Sequence, residues 1–194
     1  MGQTDCELKR SQDSIFVYAC KLTDSKVKAI RASFTLPTTP SVLAAHILNV
    51  EAYTEWQYNI IKAEVLEVIG DLELIYRAEV KAPWPVSNRD LVVRLRITQD
   101  PATRVMTFSI VSIPDYIPPY DGIVRVPKSE GKWVITPLNN RLKIDYSFIV
   151  DPGGSVPSWL INFSIAEGPY RTFHNLSKRI KSHNLIKSVQ VIKD

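Results

Sequence analysis

The sequence has no apolar run approaching the roughly 18–20 residues that a helical membrane span needs, so no such span is expected within these 194 residues. Its opening, "MGQTDCELKR", has no hydrophobic segment of the kind that directs export. Cys6 stands where the N-myristoylation pattern requires Ser or Thr. Two placements stay open: a soluble cytoplasmic protein as the sequence stands, or an exported, periplasmic one if Met1-Gly2 replaces a removed signal. Metal-ligating residues are scarce. The histidines, His46, His174 and His183, have no metal-ligand spacing with Cys, Asp or Glu, so neither a metal nor another cofactor is expected. The two cysteines, Cys6 and Cys20, either close a short loop in an oxidising compartment or remain free thiols. "GGSVP" lacks the glycine two residues after Ser155 that a nucleophile elbow requires. No phosphate-binding glycine loop is present. Glu64, Glu67, Glu73 and Glu79 read as solvent-face strand residues, which leaves no acid/base pair. Repeats and low-complexity segments are also missing.

What remains is an ordinary globular composition, 45% hydrophobic and 23% charged, at a length that suits one domain with a sizeable core. The net charge of +4 is unevenly spread. From Gly168 onward six basic residues (Arg171, Lys178, Arg179, Lys181, Lys187 and Lys193) face Asp194 alone, whereas residues 1–167 are near neutral. A basic C-terminal element favours an anionic surface, membrane or nucleic acid. Nucleic acid is the weaker partner, because no aromatic platform is interleaved with the basic residues.

Hydrophobic periodicity divides the chain. Residues 14–20 and 26–36 alternate as strands, with Ile30, Ala32, Phe34 and Leu36 on one face of the second. "TPSVLAAHILNV" reads as a short helix starting after Pro40, and "EAYTEWQYN" as an aromatic connector. Strands are expected at 60–69, 72–81, 90–99, 104–113, 122–128, 132–136 and 141–150, with "SEG" as the turn between 122–128 and 132–136. After "DPGGS" about 30 helix-compatible residues follow, starting near Pro157. In them Leu160, Phe163, Tyr170, Phe173, Leu176 and Ile180 recur at helical spacing, with Gly168-Pro169 as an expected bend. The architecture expected is a long antiparallel meander with one dry face, covered by one long C-terminal helix. A pocket forms easily between two such layers.

One stretch resists this periodic reading. In "KAPWPVSNRDLVVRLRI" the strand is clear from Leu91 on, with Leu91, Val93, Leu95 and Ile97 on one face and Arg94 and Arg96 on the other. Pro83 and Pro85 before it have no N–H to give a ladder, and Trp84 between them is left without a core.

"WPVSNRD" (84–90), "VSIPDYIPPYDGIVR" (111–125), "KWVITPL" (132–138), "VDPGGSVPSWLIN" (150–162) and "GPY" (168–170) together resemble the StAR-related lipid-transfer (START) domain family. The similarity runs in order from about residue 14 to 180, so a single START-like domain is expected over 1–194 with its core at about 14–187. The family's N-terminal helix is expected to be truncated here to "CELKRS". The resemblance implies an α+β helix-grip fold: a strongly curved antiparallel sheet around a long C-terminal lid helix, enclosing a hydrophobic tunnel. It also implies that the "WP" loop and the lid border the tunnel mouth.

Strand parity, read on that fold, turns Leu72, Leu74, Tyr76, Ala78, Leu91, Val93, Leu95, Met106, Phe108, Ile110, Leu142, Ile144, Tyr146 and Phe148 inward. The lid adds Phe163, Tyr170 and Phe173. Trp84, Pro85, Trp159, Arg171 and Lys178 are the expected gate and membrane contacts. Several sterol-type members of the family carry an inward arginine where this chain has Leu95, balanced by an acid about where it has Tyr76. Losing both partners together is coherent, because either charge alone would be costly to bury. A more apolar tunnel follows, with Tyr76 and Tyr146 as its polar handles. Arg89 and Asp90 point to opposite strand faces, so each is expected to anchor a neighbouring element.

The function expected is non-catalytic binding, with transfer, of a lipid or other apolar small molecule, and transient docking on an anionic membrane. Two alternatives stand beside it. One is a polyketide cyclase/aromatase-type enzyme using Tyr76, Tyr146 or Ser112; the other is a non-catalytic ligand sensor.

Overall fold

Alternation carries most of the chain into strands, and in the computed structural model, which describes residues 5–21, 28–182 and 188–194, they form one sheet. The strands are β1 (Cys6–Gln12), β2 (Ile15–Lys21), β3 (Lys28–Leu36), β4 (Ile60–Gly70), β5 (Glu73–Val80), β6 (Arg89–Gln99), β7 (Met106–Ser112), β8 (Val124–Arg125), β9 (Lys128–Leu138) and β10 (Arg141–Asp151). Their order is β1-β2-β3-β10-β9-β7-β6-β5-β4, antiparallel throughout, with β8 running parallel beside the start of β6. Helices α1 (Pro40–Leu48) and α2 (Tyr53–Trp56) connect β3 to β4, and α3 (Ser158–Ser182) closes the fold. The antiparallel sheet with its C-terminal helix is the α+β helix-grip arrangement expected. The expected strand start at 26–27, His183, Lys187 and the side chain of Trp159 lie outside the described residues.

Two local expectations are corrected. "CELKRS" is no helix remnant: its residues form β1, which pairs with β2 through a turn at Asp13-Ser14, where both residues adopt positive φ. Cys6 stands opposite Cys20 in that register and is bonded to it. Nor is "SEG" a turn. β9 runs unbroken from Lys128 through Gly131, and the expected strand 122–128 shrinks to β8. Gly131 is there for space, since a Cβ would meet the Phe148 ring at 3.3 Å and Ile110 at 3.4 Å. A glycine inside a strand often marks such a close approach.

Alternation also decides which face of the sheet is dry. The inward positions of β6, β7, β9 and β10 meet in cross-strand rows: Leu95, Ile110, Gly131 and Phe148 make one, and Ile97, Phe108, Trp133 and Tyr146 the next. α3 covers this concave face through Ile161, Ile165, Pro169, Phe173, Leu176 and Ile180, spaced three or four residues apart and buried or half-buried. Gly168-Pro169 falls inside the helix without ending it.

One end of the grip is sealed. The C-terminal segment turns back onto α1, where the Asp194 carboxylate accepts hydrogen bonds from the Ser41 N–H and hydroxyl, each at 2.8 Å. A carboxylate suits that place, because the first N–H groups of a helix lack intrahelical partners. Lys193 bonds the Gln99 side chain at the end of β6, and Ile192 is buried beside it.

Candidate functional site

The expected inward residues gather on the concave face, and their burial changes along it. At the sealed end Met106, Ile135, Leu142 and Ile144 are fully enclosed, as are Phe108 and Leu95 further along. Toward the start of β6, Leu91, Ile110 and Phe148 are only half-buried, as is Tyr146 one row nearer the sealed end, although each packs against the core. Leu74, Tyr76, Val93, Tyr170 and Phe173 are buried; Ala78 is buried as well, and Leu72 is partly so. On β6, β7 and β10 the accessible apolar surface is thus greatest toward the start of β6.

Phe163 departs from the expectation. It is 47% exposed, because it lies two residues from both Ile161 and Ile165, about 200° around the helix from the inward stripe. Ile165 takes the buried position instead.

Aromatic residues outside the candidate set complete the floor. Trp133 lies at the centre, its ring 5.9 Å from Phe108, 5.4 Å from Tyr146, 5.3 Å from Phe173 and 6.3 Å from Phe34. The alternation of Gly131, Trp133 and Ile135 was the sequence signal for it, obscured by reading a turn at "SEG". Tyr53, from the aromatic connector, packs edge-on against Tyr76 at 5.4 Å and donates its hydroxyl proton to the Ile47 carbonyl at 2.5 Å. Burial pushes the pKa values of Tyr53, Tyr76 and Tyr146 up, with Tyr76 reinforcing the effect on the other two, so all three phenols are neutral at physiological pH. The Ser112 hydroxyl accepts the Ser129 N–H at 2.7 Å.

Leu95 is enclosed between Leu74 and Ile110 in register, with no charge facing inward beside it. Arg94 and Arg96 are on the convex face, where both bond Glu73. Burial alone would raise the Glu73 pKa, but these two guanidinium groups hold it below the usual range.

Each residue of "WPVSNRD" has a separable position. Trp84 is the tip, 93% exposed, joined to Pro85 by a cis peptide bond; Pro85 is exposed too. Asn88 clamps the base of the loop, accepting from Ala82 N–H at 3.1 Å and donating to Glu79 at 2.9 Å. Arg89 faces the segment before α3, with Ser87, Gly153 and Ser155 carbonyls as acceptors. Asp90 turns to the convex side, where it takes Arg77 Nε at 2.8 Å and Arg125 through two bonds at 2.9 and 3.0 Å. Arg125 also donates to the Pro114 and Ile117 carbonyls, and Tyr120 stacks over Arg77 at 4.2 Å. Asp90 thereby pins loop 113–123 across the outside of the sheet.

Between the "WP" loop and the segment entering α3 lies a groove of about 740 Å³, lined by residues 85–87, Arg89, Val124 and 154–157. It opens at the half-buried end of the concave face. Arg171 and Lys178 do not flank it. At about 1.5 Å per residue they lie roughly 20 and 30 Å along α3 from Ser158. Both are exposed, and Arg171 is paired with Glu167 at 2.8 Å.

Among the described residues no helix is long and apolar enough to cross a membrane, and no cluster of His, Cys, Asp or Glu could hold a metal.

Known proteins resemble this chain in sequence, in fold or in both. An uncharacterised protein of Pseudomonas aeruginosa, PA1579, is 29% identical over 173 residues, 89% of this chain and 85% of that protein. The phosphatidylcholine transfer protein of Rattus norvegicus is 31% identical over 134 residues, 66% of this chain and 61% of that protein. A STAR-related lipid transfer protein from Xanthomonas axonopodis, known as a crystal structure of its fragment 25–204, superposes with a TM-score of 0.83 at 28% identity. That match covers 91% of this chain and 98% of that one. Human StAR-related lipid transfer protein 5, 17% identical, shares the fold with a TM-score of 0.77 over 91% of this chain and 86% of its own. The family model described as START domain matches residues 7–185, and the chain belongs to that family.

Proposed function

We propose that this protein binds a lipid or another apolar small molecule between the concave face and α3 and transfers it between membranes without catalysing a reaction. One observation carries the reading: apolar burial relaxes at Leu91 on β6, Ile110 on β7 and Phe148 on β10, toward the exposed Trp84 loop and the start of α3. The relatives named for lipid transfer support it. A single such unit spans residues 1–194, with its core at about 14–187. Leu91, Ile110, Tyr146 and Phe148 meet the ligand first. Leu74, Tyr76, Val93, Leu95, Met106, Phe108, Ile144, Tyr170 and Phe173 form the deeper wall and part to admit it. Tyr76 and Tyr146 supply the polar contacts. Burial leaves almost no phenolate near neutral pH, which argues against these tyrosines as general bases.

Docking, on this reading, is apolar at the mouth. Trp84, Pro85 and Phe163 enter the bilayer interface, where indole rings are favoured. The basic end of α3, with Arg171 and Lys178, acts at longer range by orienting the approach to anionic lipid.

The test is native mass spectrometry of the mildly purified protein with extraction of any bound molecule. An intact co-purified lipid is expected, and Ile110→Trp, which fills the half-buried row, is expected to lower its occupancy while the fold is kept. A protein that stays empty when offered lipid vesicles overturns the proposal.

A further inference from the structure

We propose that the groove between the "WP" loop and the entry to α3 is a phosphate-binding site, with Arg89 as its anchor. Arg89 is 9% exposed, yet no ion pair among the described residues includes it. Its neighbours differ in this respect: Arg77 and Arg125 share the Asp90 carboxylate. The acceptors on Arg89 are carbonyls only. Nη1 donates to Ser87, Nη2 reaches Gly153 and Ser155 at 3.5 Å each, and Nε–H donates to no acceptor among the described residues. Burial depresses its pKa, and no anion offsets that effect. A desolvated guanidinium without a counter-ion is costly, and a bound anion removes the cost.

The surroundings suit a phosphate group. A guanidinium matches phosphate oxygens through paired N–H donors. Gly153 and Gly154 both have positive φ, which suits glycine, and a Cβ at Gly154 would come into van der Waals contact with Arg89 Nη2 at 4.0 Å, so the turn passes close beside the guanidinium. α3 begins at Ser158, and the positive end of a 25-residue helix dipole adds to the field. Ser87 and Ser155 line the same groove. Its volume admits a phosphate with a substituent, and Trp84 beside it gives the site access to a membrane surface. The shared chemistry is a phosphate oxyanion, from either a phospholipid headgroup or free phosphate. The site stands whether or not the concave face carries a lipid.

The experiment titrates inorganic phosphate, and separately glycerophosphocholine, into the ¹⁵N-labelled full chain at constant ionic strength. The Arg89 Nε–Hε and Gly154 amide resonances are followed. Saturable shifts at both positions are expected with at least one probe. Arg89→Lys, which loses the paired donors, is expected to weaken binding by about tenfold. Because Arg89 also holds the 153–155 turn, Val156→Asp serves as a second variant: it sets a carboxylate in the groove, abolishes the shifts and leaves the circular dichroism unchanged. Tighter binding of glycerophosphocholine assigns the site to a headgroup, and tighter binding of inorganic phosphate to the free anion. Non-saturable shifts with both probes, or shifts that survive both variants, overturn the proposal. Lipid occupancy of the concave face, read by mass spectrometry, is expected to be the same in Val156→Asp, so failure of one proposal is distinct from failure of the other.

Discussion

Asp90 has no exposed surface and still carries a charge, because two guanidinium groups meet it. Burial by itself would raise its pKa; hydrogen bonds from Arg125 and then Arg77 bring it below the usual carboxylate range. A carboxylate whose folded pKa is depressed binds fewer protons than in the unfolded chain. Its stabilisation is therefore present above the unfolded pKa of roughly 3.9 and is lost as pH falls through the lower folded value. Asp90→Asn is expected to destabilise the protein by about 3 kcal/mol at pH 7, since it leaves Arg77 buried without its closest partner. The same variant should lose less stability than wild type between pH 4 and pH 2, and urea unfolding across that range checks both signs. Equal pH slopes in the two proteins would remove Asp90 from the acid transition. At this scale the sequence was informative in kind: opposite faces for Arg89 and Asp90, each anchoring another element, followed from strand alternation. Which elements they anchor did not, because Arg77, Arg125 and the 153–155 turn are distant in the chain and only the fold brings them together.

At the scale of elements, α3 is held unevenly. From Glu167 onward it is tied down: Arg10 pairs with Glu167, Tyr170 donates to Asp13 at 2.7 Å, Asn175 donates to the Trp56 carbonyl at 3.1 Å, and Arg179 pairs with Glu55. Phe173 stacks on Phe34 at 4.4 Å within the same stretch. Among the described side chains from Leu160 to Ala166 none makes a polar tie to another element; Ile161 and Ile165 pack on the core, with Phe163 outside. Local opening is easiest where polar ties and buried contacts are fewest. Amides at 160–166 are expected to exchange hydrogen at least tenfold faster than those at 172–180, and an even rate along α3 would show the helix moves as one body. The helix itself was legible from its spacing. The hairpin that latches it was not, because "CELKRS" is polar at four of its six positions and its strand state depends on pairing with β2.

For the whole molecule, the exposed Trp84 and Phe163 stand near one end and the surplus basic residues near the other. Trp84→Ala and Phe163→Ala are each expected to leave stability within about 0.5 kcal/mol of wild type, as exposed substitutions usually do. Each should also weaken partition onto anionic vesicles, by about tenfold for Trp84 if about a quarter of its side-chain area leaves water on docking. Replacing Lys178 and Lys181 with Gln should instead reduce the salt dependence and leave partition at high salt nearly unchanged, since screened charges act little beyond about 10 Å. Co-sedimentation at two ionic strengths separates the two effects. Vesicle binding that ignores Trp84 and Phe163 but follows the lysines would move docking to the other end of α3.

Strand alternation, helix spacing and the punctuation around "WPVSNRD" and "DPGGS" are local properties, and from them the sequence by itself determined a sheet with one dry face, a long covering helix and a proline-bounded loop between two strands. The tertiary structure decided the rest. Which end of the dry face stays half-buried depends on how α1, the C-terminal segment and α3 close over it. That Arg89 meets the entry to α3 without a counter-ion depends on two segments more than sixty residues apart. How far the basic residues lie from Trp84 depends on the direction in which α3 crosses the sheet. Burial, pairing and separation are relations between distant residues, and packing alone fixes them.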